Sequence, residues 1–201
     1  KSILNKTLIL LDLDDTLIYY NEYHQDSWND FDFIIKLENG FNLKIKKRPY
    51  VNKFIKYCCK KFKKINIYTA ADDWYAEEVI NNLNIPKDKL GFVKTRNDCI
   101  WKRSIKFQKE WIKKVDNNFI IDDKSHVYEG VNNKIYKIEP YLYTGEKDND
   151  KELLKLVDFI EKKTRVKIIN KSVVNLDIEL FLRKLNIKVN KIQKSDVYKL
   201  I

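Results

Sequence analysis

Leu8, Ile9, Leu10 and Leu11 stand in an unbroken apolar row, and Asp12, Asp14 and Asp15 follow directly. An apolar run of this kind reads as a strand covered on both faces, the signature of a parallel sheet flanked by helices. The acids that end it are costly there. They repel one another, and desolvation penalises their charged forms. The pattern returns in "NFIIDD", which ends in Asp122 and Asp123, while "INIYTA" is a third apolar run, ending at Thr69.

Helical patterns lie between these runs. In "RPYVNKFIKYCCKKF" Pro49 suits a first helical turn, and Val51, Phe54, Ile55, Cys58 and Phe62 recur at helical spacing. Cys58 is expected in the core of that helix and Cys59 on its surface. A second helix is expected from Asp72 or Asp73, with Ala76, Val79, Ile80 and Leu83 inward. A third is expected over Ser104 to Lys114, and a fourth in "DKELLKLVDFIEKK", with Leu153, Leu156, Val157 and Ile160 inward. "GFVKTR" and "KIYKI" read as short strands. Strands alternating with helices predict an α/β fold with a doubly wound parallel sheet.

"FDFIIKLENGFNLKIK" breaks this alternation and reads as an inserted β-hairpin over about 31–47. A two-residue Asn39-Gly40 turn would set apolar residues against polar ones. A three-residue loop, Glu38-Asn39-Gly40, pairs Leu37 with Phe41, Ile35 with Leu43 and Phe33 with Ile45. All six apolar side chains then share one face, and Gly40 takes the left-handed position such loops favour.

In open parallel sheets a ligand sits beyond the carboxyl ends of the strands. Asp12, Asp14, Thr69, Asp122 and Asp123 all lie at or past strand ends, so one crevice can gather them. A hard divalent cation there turns mutually repelling carboxylates into a cradle. Other chemistries have little support. The only histidines, His24 and His126, read as loop residues, and no C-x5-R nucleophile loop is present. Cys58, Cys59 and Cys99 form neither a disulfide framework nor a zinc motif, which points to a reducing, intracellular compartment, nuclear or cytoplasmic. No apolar run approaches the roughly 20 residues of a membrane span.

The 201 residues carry a net charge of +11, which opens the possibility of nucleic-acid binding through a basic surface. Only five of the 40 basic residues are arginines, and that lysine skew, with abundant Asn and Ile, fits an AT-rich coding sequence as well. The basic excess is concentrated in residues 163–201, with a balance of +7. There "NLDIELFLRKLNI" places Ile178, Phe181, Leu182 and Leu185 at helical spacing.

At "DLDDT" the sequence resembles the D-x-D-x-T motif of the haloacid dehalogenase superfamily of phosphotransferases. "NKTLILLDLDDTL" followed by "DFDFIIKLENGFNLKIKKRPYV" is similar to its branch of RNA polymerase II carboxy-terminal-domain phosphatases, the NIF-like branch. "INIYTAADDWYA" and "NFIIDDKSHVY" resemble that branch's second and fourth motifs. The likeness covers about Lys6 to Lys162, so residues 1–162 are expected to form the catalytic domain and residues 163–201 an extension of unknown role.

The resemblance implies a Mg2+-dependent phosphatase. Asp12 would be the nucleophile, carrying an aspartyl-phosphate, and Asp14 the proton donor and acceptor. Thr69 would bind phosphoryl oxygens, and Lys102, with Lys106 as its rival, would stabilise their charge. Asp12, the main-chain carbonyl of Asp14, and Asp123 or Asp122 would hold Mg2+, with the family pattern favouring Asp123. Arg96, Phe33 and Tyr75 would contact substrate, a phosphoserine or phosphothreonine protein. A nucleic-acid 3′-phosphate or small-molecule phosphatase, and a non-catalytic binding module, are the alternatives. The chain is expected to be a monomer.

Overall fold

A strand with no polar face belongs in the middle of a covered sheet, and Ile9–Leu11 (β1) occupies that place. The computed structural model describes residues 8–20, 29–37, 40–102, 105–107, 119–124, 135–143 and 149–164, with the backbone alone at 100–102 and 105–107. The chain divides into two units, Lys1–Asp158 and Phe159–Ile201. In the second, residues 159–164 are described and are helical.

In the first unit β1 is flanked by Ile65–Tyr68 (β5) on one side and Phe119–Asp122 (β9) on the other, both parallel to it. Leu90–Lys94 (β6) pairs with β5, and Ile135–Lys137 (β10) with β9, giving the order β10-β9-β1-β5-β6. The expected parallel α/β sheet is therefore present. The chain runs outward from β1 through β5 to β6, then returns to the other side of β1. The strand order reverses between β1 and β9, where open sheets of this class place their ligands.

Alternation along the strands fills both faces. Leu10, Tyr68 and Ile120 cluster on one, with Phe92, Cys99 and Ile135 against them. Ile9, Leu11, Ile65, Ile67 and Ile121 are fully buried on the other. Helix Val51–Lys61 (α1) buries Val51, Phe54, Ile55 and Cys58, and Phe62 at its end meets the edge of the Phe119 ring at 5.9 Å. Cys59 is half-buried, so the two adjacent cysteines divide as expected. Helix Asp73–Asn82 (α2) starts where its acids predict and buries Tyr75, Ala76, Val79 and Ile80.

Asn66 is the buried polar residue of β5. Its amide donates to the Ile9 carbonyl at 3.1 Å and its Oδ1 accepts from the Phe92 N–H at 3.1 Å. It fits because residue 91 is glycine: a Cβ there would stand 2.1 Å from Asn66 Oδ1.

A second, antiparallel sheet covers the insertion. Phe33–Lys36 (β3) pairs with Asn42–Lys47 (β4) in the expected register, Phe33 opposite Ile45 and Ile35 opposite Leu43. Leu37 N–H donates to the Phe41 carbonyl at 2.8 Å, and Gly40 closes the loop with φ +84°. Ile35 and Ile45 are buried, while Phe41, at the tip of the same face, is 71% exposed. The sequence reading missed a third strand, Ile18–Tyr20 (β2), which pairs with the other edge of β4.

One expected helix is corrected. Ile100–Lys102 (β7) and Ile105–Phe107 (β8) pair as an antiparallel hairpin, so the segment expected to open a helix at Ser104 begins in a strand. Ile100, Trp101, Ile105 and Phe107 are β-branched or aromatic and suit strands better than helices. Residues 108–118 lie outside the described residues. At the end of the first unit residues 152–158 are helical as expected, burying Leu153 and Leu156. The tail helix expected around Ile178–Leu185 lies outside the described residues.

Candidate active site

After β1 the chain turns at once. Leu13, fully buried, offers its carbonyl to the N–H groups of Thr16, Leu17 and Ile18 at 3.3, 2.8 and 3.2 Å. Asp12, buried, and Asp14, half-buried, stand on either side of Leu13. Asp15 takes a left-handed conformation, φ +56°, which aspartate tolerates better than most residues. It makes the turn into β2 and caps no helix. Burial raises its pKa against the opposing pull of Lys124 and Arg48.

Arg48, at the end of β4, holds this turn. It is 1% exposed. Its guanidinium forks onto Asp150, with Nε to Oδ1 at 3.0 Å and Nη2 to Oδ2 at 2.7 Å. It also donates to the carbonyls of Thr16 at 3.0 Å and Glu139 at 2.7 Å, and lies over the Tyr141 ring. Tyr141 N–H donates in turn to the Asp15 carbonyl at 2.7 Å. The sequence reading passed over Arg48. The available signal was an arginine in a chain that otherwise uses lysine, since only arginine presents a rigid fork of five donors.

Parallel pairing brings three acids together. Asp12 N–H donates to the Ile121 carbonyl at 3.0 Å, which sets Asp12 beside the end of β9. Carboxylate oxygens of Asp12, Asp122 and Asp123 all lie within 4.8 Å of one another, and all three residues are buried. Asp122 Oδ1 accepts from the Lys124 N–H at 2.8 Å. Asp123 Oδ1 is buried without a hydrogen-bond partner among the described residues. Burial raises the Asp123 pKa, Lys124 opposes that shift, and Asp122 and Asp15 add to it. Three desolvated carboxylates with an unsatisfied oxygen suit a hard divalent cation. Asp122 and Asp123 are both in this group.

Asp14 makes a different contact. The Tyr75 hydroxyl donates to Asp14 Oδ1 at 2.7 Å. Burial first, then the Asp14 carboxylate, push the Tyr75 phenol well above its usual pKa, so it stays protonated as a donor.

Thr69, 1% exposed, follows β5, and its Oγ1 accepts from the Ala71 N–H at 3.1 Å. Arg96 N–H donates to the Ala71 carbonyl at 2.9 Å, and the Arg96 side chain pairs with Asp72 at 2.8 Å on the exposed surface. Thr95 and Asn97 donate to the Asp73 carboxylate. The Thr95–Asp98 turn is thus fastened to the loop that carries Thr69. Cys99 Sγ lies 3.6 Å from the Thr69 carbonyl oxygen, and Lys102 ends β7 three residues later, a span of at most about 11 Å. The side chains of Lys102 and Lys106 lie outside the described part of the structure. Phe33 is half-buried on the small sheet, with Lys47 Nζ 5.5 Å from its ring centre.

A family model for NLI interacting factor-like phosphatases matches residues 6–170. The chain belongs to this family. A relative, CTD small phosphatase-like protein 2 of Dictyostelium discoideum, is 29% identical over 178 residues, covering 80% of this chain and 28% of that protein. This NLI interacting factor-like chain therefore spans little more than a quarter of the relative's length. Two solved structures share its fold. One is Fcp1, described as an essential RNA polymerase II CTD phosphatase, at 22% identity and TM-score 0.52, covering 94% of this chain and 55% of that one. The other is the fission yeast RNA polymerase II CTD phosphatase Fcp1 bound to beryllium fluoride, at 18% identity and TM-score 0.51, covering 94% and 58%. Among the described residues no helix is long and apolar enough to cross a membrane.

Proposed function

We propose that this chain is a Mg2+-dependent phosphatase working through an aspartyl-phosphate on Asp12, with phosphoserine or phosphothreonine in proteins as its substrate. The observation that carries the reading is the meeting of Asp12, Asp122 and Asp123 beyond adjacent parallel strands, with Asp14 two residues from the nucleophile. Family membership supports phosphate-ester chemistry, and residues 1–162 carry it in this reading.

Asp12 attacks phosphorus, and the bond to the leaving oxygen breaks as Asp14 hands that oxygen a proton. Asp14 then takes a proton from the water that attacks the aspartyl-phosphate. Thr69 and Lys102 hold the phosphoryl oxygens. Asp12, the main-chain carbonyl of Asp14, and Asp123 or Asp122 would hold Mg2+. Mg2+, when bound, offsets the charge of the carboxylates and of the phosphoryl oxygens, so the two can approach. Arg96 and the apolar side of the small sheet, Phe33 included, would take the peptide around the phosphorylated residue. A polynucleotide would need phosphate-contacting charge there instead.

The test is phosphate release from phosphopeptides, 3′-phosphate oligonucleotides and small phosphate esters, with and without Mg2+. Phosphopeptides should be preferred, chelation should stop turnover, and Asp12→Asn should abolish it while the protein stays folded. Asp12→Asn turning over near the wild-type rate would remove the covalent mechanism. A strong preference for 3′-phosphate ends would replace the peptide with nucleic acid.

A further inference from the structure

We infer that Tyr75 is a positioning residue, the one that sets the direction of the Asp14 carboxyl toward the leaving oxygen; the inference rests on the phosphatase reading above. Asp14 stands on the turn leaving β1 and is half-buried. A carboxyl group on a turn can rotate, and a proton donor must come within about 2.6–3.2 Å of the atom it serves. The Tyr75 hydroxyl, 2.7 Å from Asp14 Oδ1, removes that freedom by engaging one of the two oxygens.

The tyrosine is itself fixed. It lies in the first turn of α2 and is 6% exposed. The Tyr20 ring tilts against it at 5.9 Å and the Trp74 ring meets it edge-on at 5.9 Å. A side chain with two rotatable bonds, buried and packed against two other rings, delivers its hydroxyl to one place. α2 follows the Thr69 loop, so the same contact ties the phosphate-binding side of the crevice to the proton-transferring side. Tyr20 comes from β2, which makes the small sheet part of the support. In the step concerned, an Asp12 oxygen bonds to phosphorus. The old P–O bond breaks with its electrons on the leaving oxygen, and the Asp14 proton moves to that oxygen. Tyr75 neither gains nor loses a proton.

The consequence is a dependence on the leaving group. An alkoxide leaves poorly without a proton, whereas a nitrophenoxide needs far less help. The experiment measures kcat/KM of the Mg2+-loaded full chain on benzyl phosphate and on 4-nitrophenyl phosphate, two small esters of similar size, for wild type and Tyr75→Phe. This ratio reports only the steps up to phosphoryl transfer onto Asp12. Tyr75→Phe, which keeps the ring, should lose at least about 10-fold more on benzyl phosphate than on 4-nitrophenyl phosphate, within the 10²–10⁴-fold that general acid help contributes. Equal losses on the two esters, from a poorer fold or a lost substrate contact, would overturn the inference, as would no loss on either. A wild-type protein that hydrolyses neither ester would sink the phosphatase reading and this inference with it.

Discussion

Asp123 shows how a single buried atom constrains the site. Its Oδ1 has no hydrogen-bond partner among the described residues, and burial raises its pKa from the ordinary aspartate value. A carboxylate whose pKa is raised on folding favours the folded state below its unfolded value and loses that contribution as pH rises through the folded one. The metal-free protein should therefore lose stability from this residue on going from acid to neutral pH. Asp123→Asn should raise the Tm of the metal-free protein at neutral pH and flatten that slope. It should also shrink the Tm increase that Mg2+ gives the wild type, since ligand binding stabilises only through the folded state. A variant that keeps the full Mg2+-dependent shift would show that Asp123 holds no metal. The acids themselves were legible in the sequence because each ends an apolar run. The Tyr75–Asp14 bond was not legible, because it joins residues 61 apart whose meeting depends on where α2 lies.

At the scale of elements, the hairpin register was decided by one question: which loop length puts all the apolar residues on one face. The structure gives the same answer, with Phe33 opposite Ile45 and Gly40 in the left-handed region. Phe33→Ala should weaken phosphopeptide hydrolysis by about 10-fold, on the order of 1.4 kcal/mol, and affect a small aryl phosphate far less. Steady-state kinetics on the two substrates decide it; equal losses would make Phe33 a packing residue of the small sheet. Strand Ile18–Tyr20 escaped the sequence reading because three residues carry almost no periodicity, and its pairing with Lys47, Lys46 and Ile45 is non-local. The β7–β8 hairpin was misread as a helix start for a related reason. Over so short a stretch, strand and helix spacings of apolar residues coincide. Gly91 likewise looks like any glycine until Asn66 is seen beneath it.

Across the whole molecule, the turn that carries the acids is held by residues distant in sequence. Arg48 is nearly inaccessible, and removing its partner would strand a buried cation, which typically costs about 3–5 kcal/mol. Asp150 is partly exposed and two carbonyls remain, so Asp150→Ala should cost nearer ~3 kcal/mol. For a domain of this size that corresponds to a fall in Tm of roughly 6–12 °C, measurable by thermal unfolding; an unchanged Tm would show that the carbonyls suffice. The long reach of this clamp also orders events in time. Glu139 and Asp150 lie 91 and 102 residues beyond Arg48. At about 5–20 residues per second, a ribosome finishes the D-x-D turn and Arg48 roughly 5–20 s before it adds the groups that lock them. A nascent chain halted early in that interval holds Asp12 and Asp14 but neither the clamp nor its neighbour at Tyr141. The newborn protein thus carries its motif in an unlocked state, and the lock arrives with Glu139 and Asp150, late in the domain's translation.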